Sequence, residues 1–450
     1  MWSRSRFPTA SLPPLARLAA PQANTMVNAI TARARKLEGI FKLRPIRHGA
    51  MDSQAGFQIV QVVQELSTAG GVETVAGELA RVFSRNNLPN VVLASAVSKN
   101  FEDTANVERI APWLSRIPTR GPFRHLGRII VVPVFTLAAT WALKRRYRKA
   151  VVISHGDSLA GDVLVVHAVN AQSLAEKRNA GSWRWLFNPM HLWVSLRDRL
   201  MIGGLRYRTF VAVSSRVTAE LQRLYAVPPS RIRVISNGID LARFSRCAES
   251  GTAVRREFNI PASAKLLLFV GHEFQRKGLA HVIGALQRLS SDTYLLVVGS
   301  DHAAPYRKLA PELADRVIFA GARADLPALY SAADAFVLPT AYETFSLVCM
   351  EAMACGVPVF ATAAGGIEEY LEDGINGFQI RMDAEDIAAK LAAAFADPVL
   401  MQRLRDGALA TARSYGWDRI GQHYIELLRE IDAEKRGAAE EPLRSRREVP

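Results

Sequence analysis

The sequence predicts an α/β protein with two Rossmann-like, doubly wound domains that face a central cleft. In FQIVQVVQELSTAGGVETVAGELARVFSRNN, a strand candidate from Phe57 to Leu66 is followed by a glycine turn and a helix. The same succession restarts at residue 264, in AKLLLFVGHEFQRKGLAHVIGALQRL. Two such units in series predict two parallel sheets, with ligands bound in the crevice at the carboxyl ends of the strands.

The first unit is predicted to build its sheet from short buried strands. A helix with one apolar face follows the Gly70-Gly71 turn, and VVLASAV, AVVISHG and DVLVVHAV have the composition of further strands. The stretch RTFVAVSSRVTAELQRLY adds a strand and a helix, with Ser214 or Ser215 as the predicted cap. Asn237-Gly238 is a turn signal that marks the join to the second unit.

The second unit continues through YLLVVGS, RVIFAG, LPALYSAA, AFVLPT and GVPVFATAAGG. A long helical pattern from about 400 to 434 closes the fold. The predicted organisation is a basic, disordered arm at 1–50, a first domain at 51–238, a second domain at 239–410, a helix at 411–434 that packs back toward the first domain, and a disordered tail at 435–450.

The net charge of +15 is concentrated in the first half of the chain. Residues 1–50 carry nine Lys and Arg against one acidic residue, and residues 109–150 carry ten against none. Such runs favour attraction to an anionic partner such as a membrane surface, although a solvated basic surface is the plainer alternative. The arm resembles a targeting or disordered segment, and Met1, Met26 and Met51 are alternative starts.

Cysteine usage and hydropathy indicate a reducing compartment and no clear membrane span. The three cysteines are unclustered, which predicts neither a disulfide framework nor a zinc site. The longest apolar run, Ile129 to Leu143, is shorter than the roughly 20 residues of a spanning helix and contains Pro133. A core helix and a helix in a membrane interface both fit this run.

Two glutamates bracket an apolar helix in YETFSLVCMEAMACGVPV. Ser346 is the predicted N-cap of a helix from Val348 to Cys355, so Glu343 lies in the preceding loop and Glu351 inside the helix. The free amides at such a helix start bind phosphate, and carboxylates on either side suit sugar and ribose hydroxyls. Taken singly, each glutamate would be an exposed side chain, but a charge within so apolar a helix needs a partner.

This segment resembles the E-x7-E signature of retaining glycosyltransferases with the GT-B fold, the group 1 or family 4 type. The similarity covers roughly residues 57–430 and includes AGGVE, SHGD, VAVSSRV, VISNGID, VGHEFQRKG and FAGARADLPALYSAADAFVLP. The stretch VGHEFQRKGL is most similar to the glucosyltransferases of the lipopolysaccharide core. The resemblance implies that the first domain binds the acceptor and the second domain the nucleotide sugar.

The resemblance also implies roles for individual residues. Glu343 would bind donor-sugar hydroxyls, Glu351 the ribose, and Arg276 with Lys277 the diphosphate. His167 is the histidine expected to face the donor sugar, with His155 as the second choice. The amides of Phe345, Ser346 and Leu347, with Thr344 beside them, would hold the distal phosphate. Gly70 and Gly71 are further donor-binding positions that would let the backbone of the first domain approach the donor phosphate or the acceptor, although a plain tight turn is the alternative for this pair.

Two positions depart from the family pattern. Serine replaces the usual glycine at 346, which narrows the space beside the phosphate, and His272 stands where arginine is common. No D-x-D motif occurs in the chain, and the helix start with the basic pair can replace a metal. We therefore expect no metal and no cofactor, with the nucleotide sugar as co-substrate.

The expected reaction moves a sugar with retention from a nucleotide-diphosphate sugar, UDP by resemblance, to a lipid-linked or cell-surface glycan such as lipopolysaccharide or exopolysaccharide. The basic segments 109–150 and 176–208 favour a cytoplasmic enzyme held peripherally on an anionic inner membrane. A nucleotide-sugar epimerase or hydrolase is one alternative, with Asp157 and Asp162 as the suggestive carboxylates. A nucleic-acid-binding protein is the other, but no nucleic-acid-binding module occurs and nucleic acid is not an expected partner.

Overall fold

The computed structural model describes most of the chain after the basic arm. The predicted arm at 1–50 and the first part of the basic segment 176–208 lie outside the described residues. The described residues are 57–67, 70–98, 101, 106–119, 124–172, 174 and 189–445.

The first domain is a seven-stranded parallel sheet with helices packed on it. Its strands lie in the order β5-β3-β1-β6-β7-β8-β9. The seven strands are β1 (Ile59–Val62), β3 (Asn90–Ala94), β5 (Val107–Arg109), β6 (Val151–Ser154), β7 (Val163–Val166), β8 (Thr209–Ala212) and β9 (Ile232–Val234), while β2 (Glu65–Leu66) pairs with β4 (Ala96–Val97) beside them. The helices are α1 (Gly71–Arg85), α2 (Arg124–Arg146), α3 (Pro189–Asp198) and α4 (Ser215–Tyr225).

The second domain repeats this plan with a six-stranded parallel sheet in the order β12-β11-β10-β13-β14-β15. The strands are β10 (Lys265–Val270), β11 (Thr293–Val298), β12 (Val317–Gly321), β13 (Ala335–Leu338), β14 (Val359–Ala361) and β15 (Gly377–Gln379). The helices are α5 (Ala248–Glu257), α6 (Leu279–Leu286), α7 (Ala304–Arg307), α8 (Leu326–Ala332), α9 (Leu347–Ala354), α10 (Ala384–Ala396), α11 (Pro398–Ser414) and α12 (Trp417–Ser445).

The strand order reverses at the first strand of each sheet, and this placement determines where ligands can bind. In the first domain β1 lies between β3 and β6, and in the second domain β10 lies between β11 and β13. The strands are buried on both faces and rich in Val, Ile and Leu, as the central strands of a parallel sheet are. Loops that leave the carboxyl ends of these central strands meet at the switch point, where open α/β sheets bind ligands.

The helical pattern predicted from 400 to 434 is two helices rather than one. α11 ends at Ser414 and α12 begins at Trp417, because the backbone turns at Gly416 to pair with Ile239 of the interdomain connection. α12 then packs against α1 and β6 of the first domain. The single helix predicted from 411 to 434 is therefore corrected at its start.

The tail predicted to be disordered from 435 is helical as far as Ser445, and only 446–450 lie beyond the described residues. Its Ala, Glu, Lys and Arg residues are strong helix formers, so they extend a helix that packing already stabilises. Lys435 anchors the helix, since its ammonium donates to the Ala150 carbonyl and to Asp162 at 2.8 Å.

Pro133 lies inside α2 and does not end it, so the apolar run that contains it is a helix, as predicted. A proline within a helix costs about 3 kcal/mol, and burial of one helix face offsets that cost here. Val131, Phe135 and Ala139 pack with Val60 and Leu93 of the sheet. By length and composition alone the stretch 127–146 could also span a membrane, but half of it is buried within the protein.

Candidate functional site

The N-terminus of α9 provides an anion seat in the second domain. Within the described part of the chain, the amides of Phe345, Ser346 and Leu347 have no hydrogen-bond acceptor. The helix starts at Leu347, one residue before the predicted start, and Gly356 adopts the left-handed conformation expected after its C-terminal end. Free amides and the positive end of the helix dipole together favour a phosphate at this position.

Ser346 occupies the N-cap position but does not cap the helix with its side chain. Its backbone is left-handed, with φ 66° and ψ 80°, and its hydroxyl contacts the Cys349 sulfur at 3.2 Å instead. The left-handed region costs a residue with a side chain roughly 1–2 kcal/mol, and glycine avoids this cost. The conformation explains why glycine is usual here, and it corrects the prediction that Ser346 caps the helix.

The basic pair lies directly beside Glu343, but its two cations are held differently. The Lys277 ammonium is buried and 3.1 Å from the Glu343 carboxylate, although the contact lacks hydrogen-bond geometry. Arg276 is 3.7 Å from the same oxygen and is also bound by Glu273 and the Tyr342 carbonyl. Among the described residues the Lys277 ammonium pairs with Glu343 but donates no hydrogen bond, so its donors can serve an incoming anion, while Arg276 shapes the loop before α9.

The path of Lys277 depends on a glycine of the VGHEFQRKG stretch. Gly271 follows β10 with φ 157°, and a Cβ there would collide with the Lys277 stem. Gly278 ends this turn with φ 75°, and a side chain on it would strike the Pro339 carbonyl. These glycines let the basic turn lie against the loop that follows β13.

Glu351 points from α9 toward Tyr330, whose hydroxyl donates to the carboxylate at 2.9 Å. Burial raises the pKa of Glu351 to about 7, and Tyr330, Arg243 and Lys277 oppose that rise. A carboxylate in so apolar a setting with a single neutral donor is poorly satisfied. Ribose hydroxyls at this position would supply the missing donors.

In the first domain, the start of α1 lies opposite the anion-binding N-terminus of α9. Gly70 is the N-cap of α1, and a Cβ on Gly71 would lie 3.3 Å from the Leu347 side chain of α9. The N-termini of α1 and α9 therefore approach each other across the cleft. A side chain on Gly70 would collide with the Glu73 carboxylate, so both glycines allow close approach rather than a left-handed turn.

Both candidate histidines lie together at the ends of neighbouring strands. His155 follows β6 and His167 follows β7; their rings stack with centroids 5.4 Å apart, and Nδ1 of His155 lies 3.1 Å from Nε2 of His167. Nε2 of His155 lies 3.0 Å from Gln61 Oε1. With Gln61 accepting, the protons sit on both Nε2 atoms, which leaves Nδ1 of His167 as an unprotonated acceptor.

Burial keeps this histidine pair neutral. It lowers the pKa of His167 to about 4 and that of His155 well below 6.5. The pair therefore presents a hydrogen-bond acceptor rather than a cation at neutral pH.

The two carboxylates suggested for an epimerase or hydrolase lie in different places. Asp162 accepts from the Val152 amide and pairs with Lys435 of α12, so it has a structural role. Asp157 is near the histidines, accepts from the Gln64 amide at 2.9 Å, and lies 3.6 Å from Arg197. Burial raises the pKa of Asp157.

Sequence reasoning missed the Gly365-Gly366 pair. Both glycines are left-handed, and a Cβ on Gly365 would overlap the Glu343 carbonyl. A Cβ on Gly366 would lie 2.8 Å from Ser214 Cβ in the first domain. The signal was present, because a glycine pair in the loop that follows a buried strand can mark a turn or a close backbone approach.

Among the described residues, no group of three or more His, Cys, Asp or Glu side chains is arranged to hold a metal ion. The positive charge around the seat comes from Lys277, Arg276 and the start of α9.

Two family models match the chain and together cover both domains. The family described as Glycosyltransferase Family 4 matches residues 69–243, and Glycosyl transferases group 1 matches residues 251–410. The first match ends in the connection between β9 and α5, and the second match begins within α5.

Curated relatives include D-inositol 3-phosphate glycosyltransferases of several organisms. The chain is 32% identical to that of Thermobispora bispora over 289 residues, which cover 55% of this chain and 67% of the relative. It is 34% identical to that of Xylanimonas cellulosilytica over 234 residues, which cover 48% of this chain and 56% of the relative.

Solved structures share the fold at low sequence identity. WaaG, a glycosyltransferase involved in lipopolysaccharide biosynthesis, superposes with a TM-score of 0.67 at 21% identity, covering 82% of this chain and 99% of that one. Anabaena Alr3699/HepE in complex with UDP-glucose gives 0.62 at 20% identity, covering 83% and 100%. These similarities confirm the predicted GT-B fold, two parallel-sheet α/β domains around a cleft.

Proposed function

Since the chain belongs to the group 1 glycosyltransferase family, we propose that it transfers a sugar from a nucleoside diphosphate sugar to an acceptor bound by the first domain. The observation that carries the proposal is the seat at the start of α9, where three free amides adjoin the buried Lys277 ammonium. Glu343 lies on one side of this seat and the half-buried Glu351 on the other. One nucleotide sugar has hydroxyls, a diphosphate and a ribose in that order.

The electrostatics favour departure of a nucleoside diphosphate without a metal ion. Negative charge develops on the leaving phosphate, and fixed amides with a buried ammonium stabilise charge without reorganising. The Lys277 ammonium is held in place by Glu343, so it is preorganised. Binding of UDP-glucose by the neighbour of known structure supports a UDP-sugar as the donor class.

We further propose that His167 accepts a hydrogen bond from a hydroxyl of the donor sugar through its free Nδ1. A neutral histidine with a fixed tautomer orients a hydroxyl without attracting the diphosphate. The reaction then proceeds with retention by front-face substitution, as expected for the E-x7-E type. Asp157 lies two residues beyond His155 and pairs with Arg197, and we propose that this ion pair contacts the acceptor.

We also propose that the acceptor is lipid-linked or a cell-surface glycan and that the enzyme works at the cytoplasmic face of an anionic membrane. α2 and α3 pack together in the acceptor domain and carry exposed apolar side chains. α2 also ends in three basic residues. Apolar contact combined with positive charge suits an anionic interface. The residues of this surface are Ile130, Leu192, Leu196, Lys144 and Arg145, while Arg146 pairs with Glu108.

Sedimentation with phosphatidylglycerol vesicles tests the membrane proposal. We expect binding that weakens with salt, and no binding to phosphatidylcholine vesicles. Leu192→Asp is expected to reduce the bound fraction, whereas Val399→Asp, at an exposed apolar position of the second domain, should leave it unchanged. Equal binding by all three proteins would refute the proposed surface.

A panel of nucleotide sugars tests the main proposal. Thermal unfolding is followed with each candidate donor, with and without EDTA, and stabilisation by at least one donor is expected in both conditions. Product analysis without an added acceptor separates a transferase from a hydrolase, which would release free sugar at its full rate. If no nucleotide sugar raises the melting temperature, the proposed donor site is wrong.

A further inference from the structure

We propose that Tyr342 and Glu220 are positioning residues that hold the Glu343 loop and the His167 loop in one arrangement across the cleft. The inference rests on the proposed transferase function for its kinetic consequences. The Tyr342 hydroxyl donates to Glu220 Oε2 at 3.1 Å, which joins the second domain to α4 of the first. Tyr342 and Glu220 are only 8% and 3% exposed, so little water competes for this bond.

Tyr342 contacts segments that lead to both candidate catalytic groups. It directly precedes Glu343, and its carbonyl accepts from the Arg276 guanidinium beside the donor seat. Its phenolic oxygen is also approached by the backbone amide of Val169, two residues beyond His167. A displacement of this one side chain would therefore move the Glu343 loop relative to the His167 loop.

Arg216 completes the cluster from the first turn of α4. Its guanidinium is 3.3 Å from the Glu220 carboxylate and lies over the Tyr342 ring at 5.9 Å from the centroid. Arg216 remains partly exposed, so it balances the buried carboxylate while keeping contact with water. Arg216 therefore holds the Glu220 carboxylate in position to accept the hydrogen bond from Tyr342.

A second link between the domains lies at the start of α4. The Ser215 amide donates to Glu369 of the second domain at 2.5 Å, and Gly366 lies against Ser214. The left-handed φ of 93° at Gly366 makes this approach possible. α4 therefore contacts the second domain at two separate points, which favours one relative orientation of the two loops.

The chain supplies a matched control for the chemistry of this cluster. Tyr147 donates its hydroxyl to Glu108, which is also paired with Arg146, and both Tyr147 and Glu108 are 8% exposed. This second tyrosine–glutamate–arginine cluster lies wholly within the first domain, on the side of α2. Removing the hydroxyl of either tyrosine deletes a hydrogen bond to a buried glutamate, but of these two bonds only the one from Tyr342 crosses the cleft.

The test compares Tyr342→Phe with Tyr147→Phe. We expect Tyr342→Phe to lower kcat about ten-fold or more while the donor Kd stays within about three-fold, because a buried bond to a charged acceptor is lost away from the donor itself. Tyr147→Phe should lower the melting temperature and leave kcat unchanged. Glu220→Gln retains an acceptor and should rescue most of the activity that Glu220→Leu loses. Small-angle scattering should show a larger radius of gyration for Tyr342→Phe only.

Unchanged kcat and an unchanged radius of gyration in Tyr342→Phe would overturn the proposal, as would equal losses of kcat in the two tyrosine variants. Failure of the wild-type protein to bind any nucleotide sugar would instead count against the proposed function. The scattering comparison then still decides the positioning role, because it does not depend on turnover.

Discussion

The two walls of the cleft differ in how they carry charge. The wall in the second domain pairs a buried ammonium, Lys277, with the Glu343 carboxylate beside a helix start. The wall in the first domain has a stacked pair of histidines, His155 and His167, that burial keeps neutral. Under the proposed function, one wall therefore suits the diphosphate leaving group and the other suits the hydroxyl groups of the sugar.

The walls also differ in how the chain encodes them. Glu343, the free amides and Glu351 come from one segment of nine residues, so their separation along the chain determines their separation in the structure. The histidine pair needs β1, β6 and β7 to align before Gln61, His155 and His167 can touch. Because the charged wall suits the diphosphate and the neutral wall suits sugar hydroxyls, we expect changes on the charged wall to weaken donor binding and changes on the neutral wall to lower kcat.

The largest expected effect is that of Lys277→Met. The change removes the buried cation and leaves Glu343 without its nearest partner, so both diphosphate binding and leaving-group stabilisation suffer. We expect kcat/KM to fall about 100- to 1000-fold in a steady-state transfer assay. Lys308→Met, at an exposed lysine, is the control and should retain full activity. A loss of less than about three-fold in Lys277→Met would show that the helix start alone binds the diphosphate.

The next effect sharpens the comparison from the opposite wall. His167→Gln removes the ring whose Nδ1 is the proposed acceptor for the donor sugar, and it should lower kcat about 10- to 100-fold, as the loss of one strong hydrogen bond would. Donor affinity, measured by calorimetry, should change little. A donor Kd raised as much as in Lys277→Met would mean that both walls bind the phosphates, and the contrast between them would fail.

The sequence predicted the charged wall well because its parts are contiguous. The helix around Glu351, the loop around Glu343 and the glycine after the helix all follow from local signals. The left-handed backbone of Ser346 was not predictable in the same way, since the geometry of the β13–α9 connection imposes it. In the sequence, a serine at this position predicts an N-cap. In the structure its hydroxyl instead donates to the Cys349 sulfur.

The parts that depend on distant pairing could not be predicted. Glu220 and Tyr342 are 122 residues apart, and nothing local to either residue marks them as partners. The same reason explains the histidine pair and the Gly366–Ser214 contact. The helix over Ile129 to Leu143 was predicted from its apolar run, and packing on the sheet offsets the helix-breaking tendency of Pro133.

A smaller effect is expected for Glu351→Gln, with opposite signs for binding and stability. Donor affinity should weaken about ten-fold, because one acceptor for the ribose hydroxyls becomes neutral. Because the pKa of Glu351 is raised in the folded state, ionisation of Glu351 lowers the free energy of unfolding as the pH rises from about 4.5 through 7. The variant should therefore be more stable than wild type at pH 8, by about 1–2 kcal/mol, and equal to it near pH 4.5. A variant that is less stable at pH 8 would show that Glu351 is satisfied without a ligand.

The smallest effect concerns the histidine pair and pH. The folded pKa of His167, about 4, lies below the 6.5 of an ordinary histidine, so the unfolded chain binds the proton first as the pH falls. The pair should therefore cost stability between about pH 6.5 and pH 4. Calorimetric melting at pH 7 and pH 5 should show a loss that is about 2–4 °C smaller in His167→Gln than in wild type.

The exposed His423 on α12 provides the control for this measurement. His423→Gln should show the wild-type loss on acidification, because this side chain is exposed and is not part of the buried histidine pair. If His167→Gln also shows the full loss, the proton enters elsewhere and the wall is not kept neutral by burial of this pair. The functional form of the same test is kcat at saturating donor, which should stay constant as the pH falls toward 6, since neither histidine ring gains a proton in that range. Donor affinity should weaken over the same range, because Glu351 takes up a proton near pH 7.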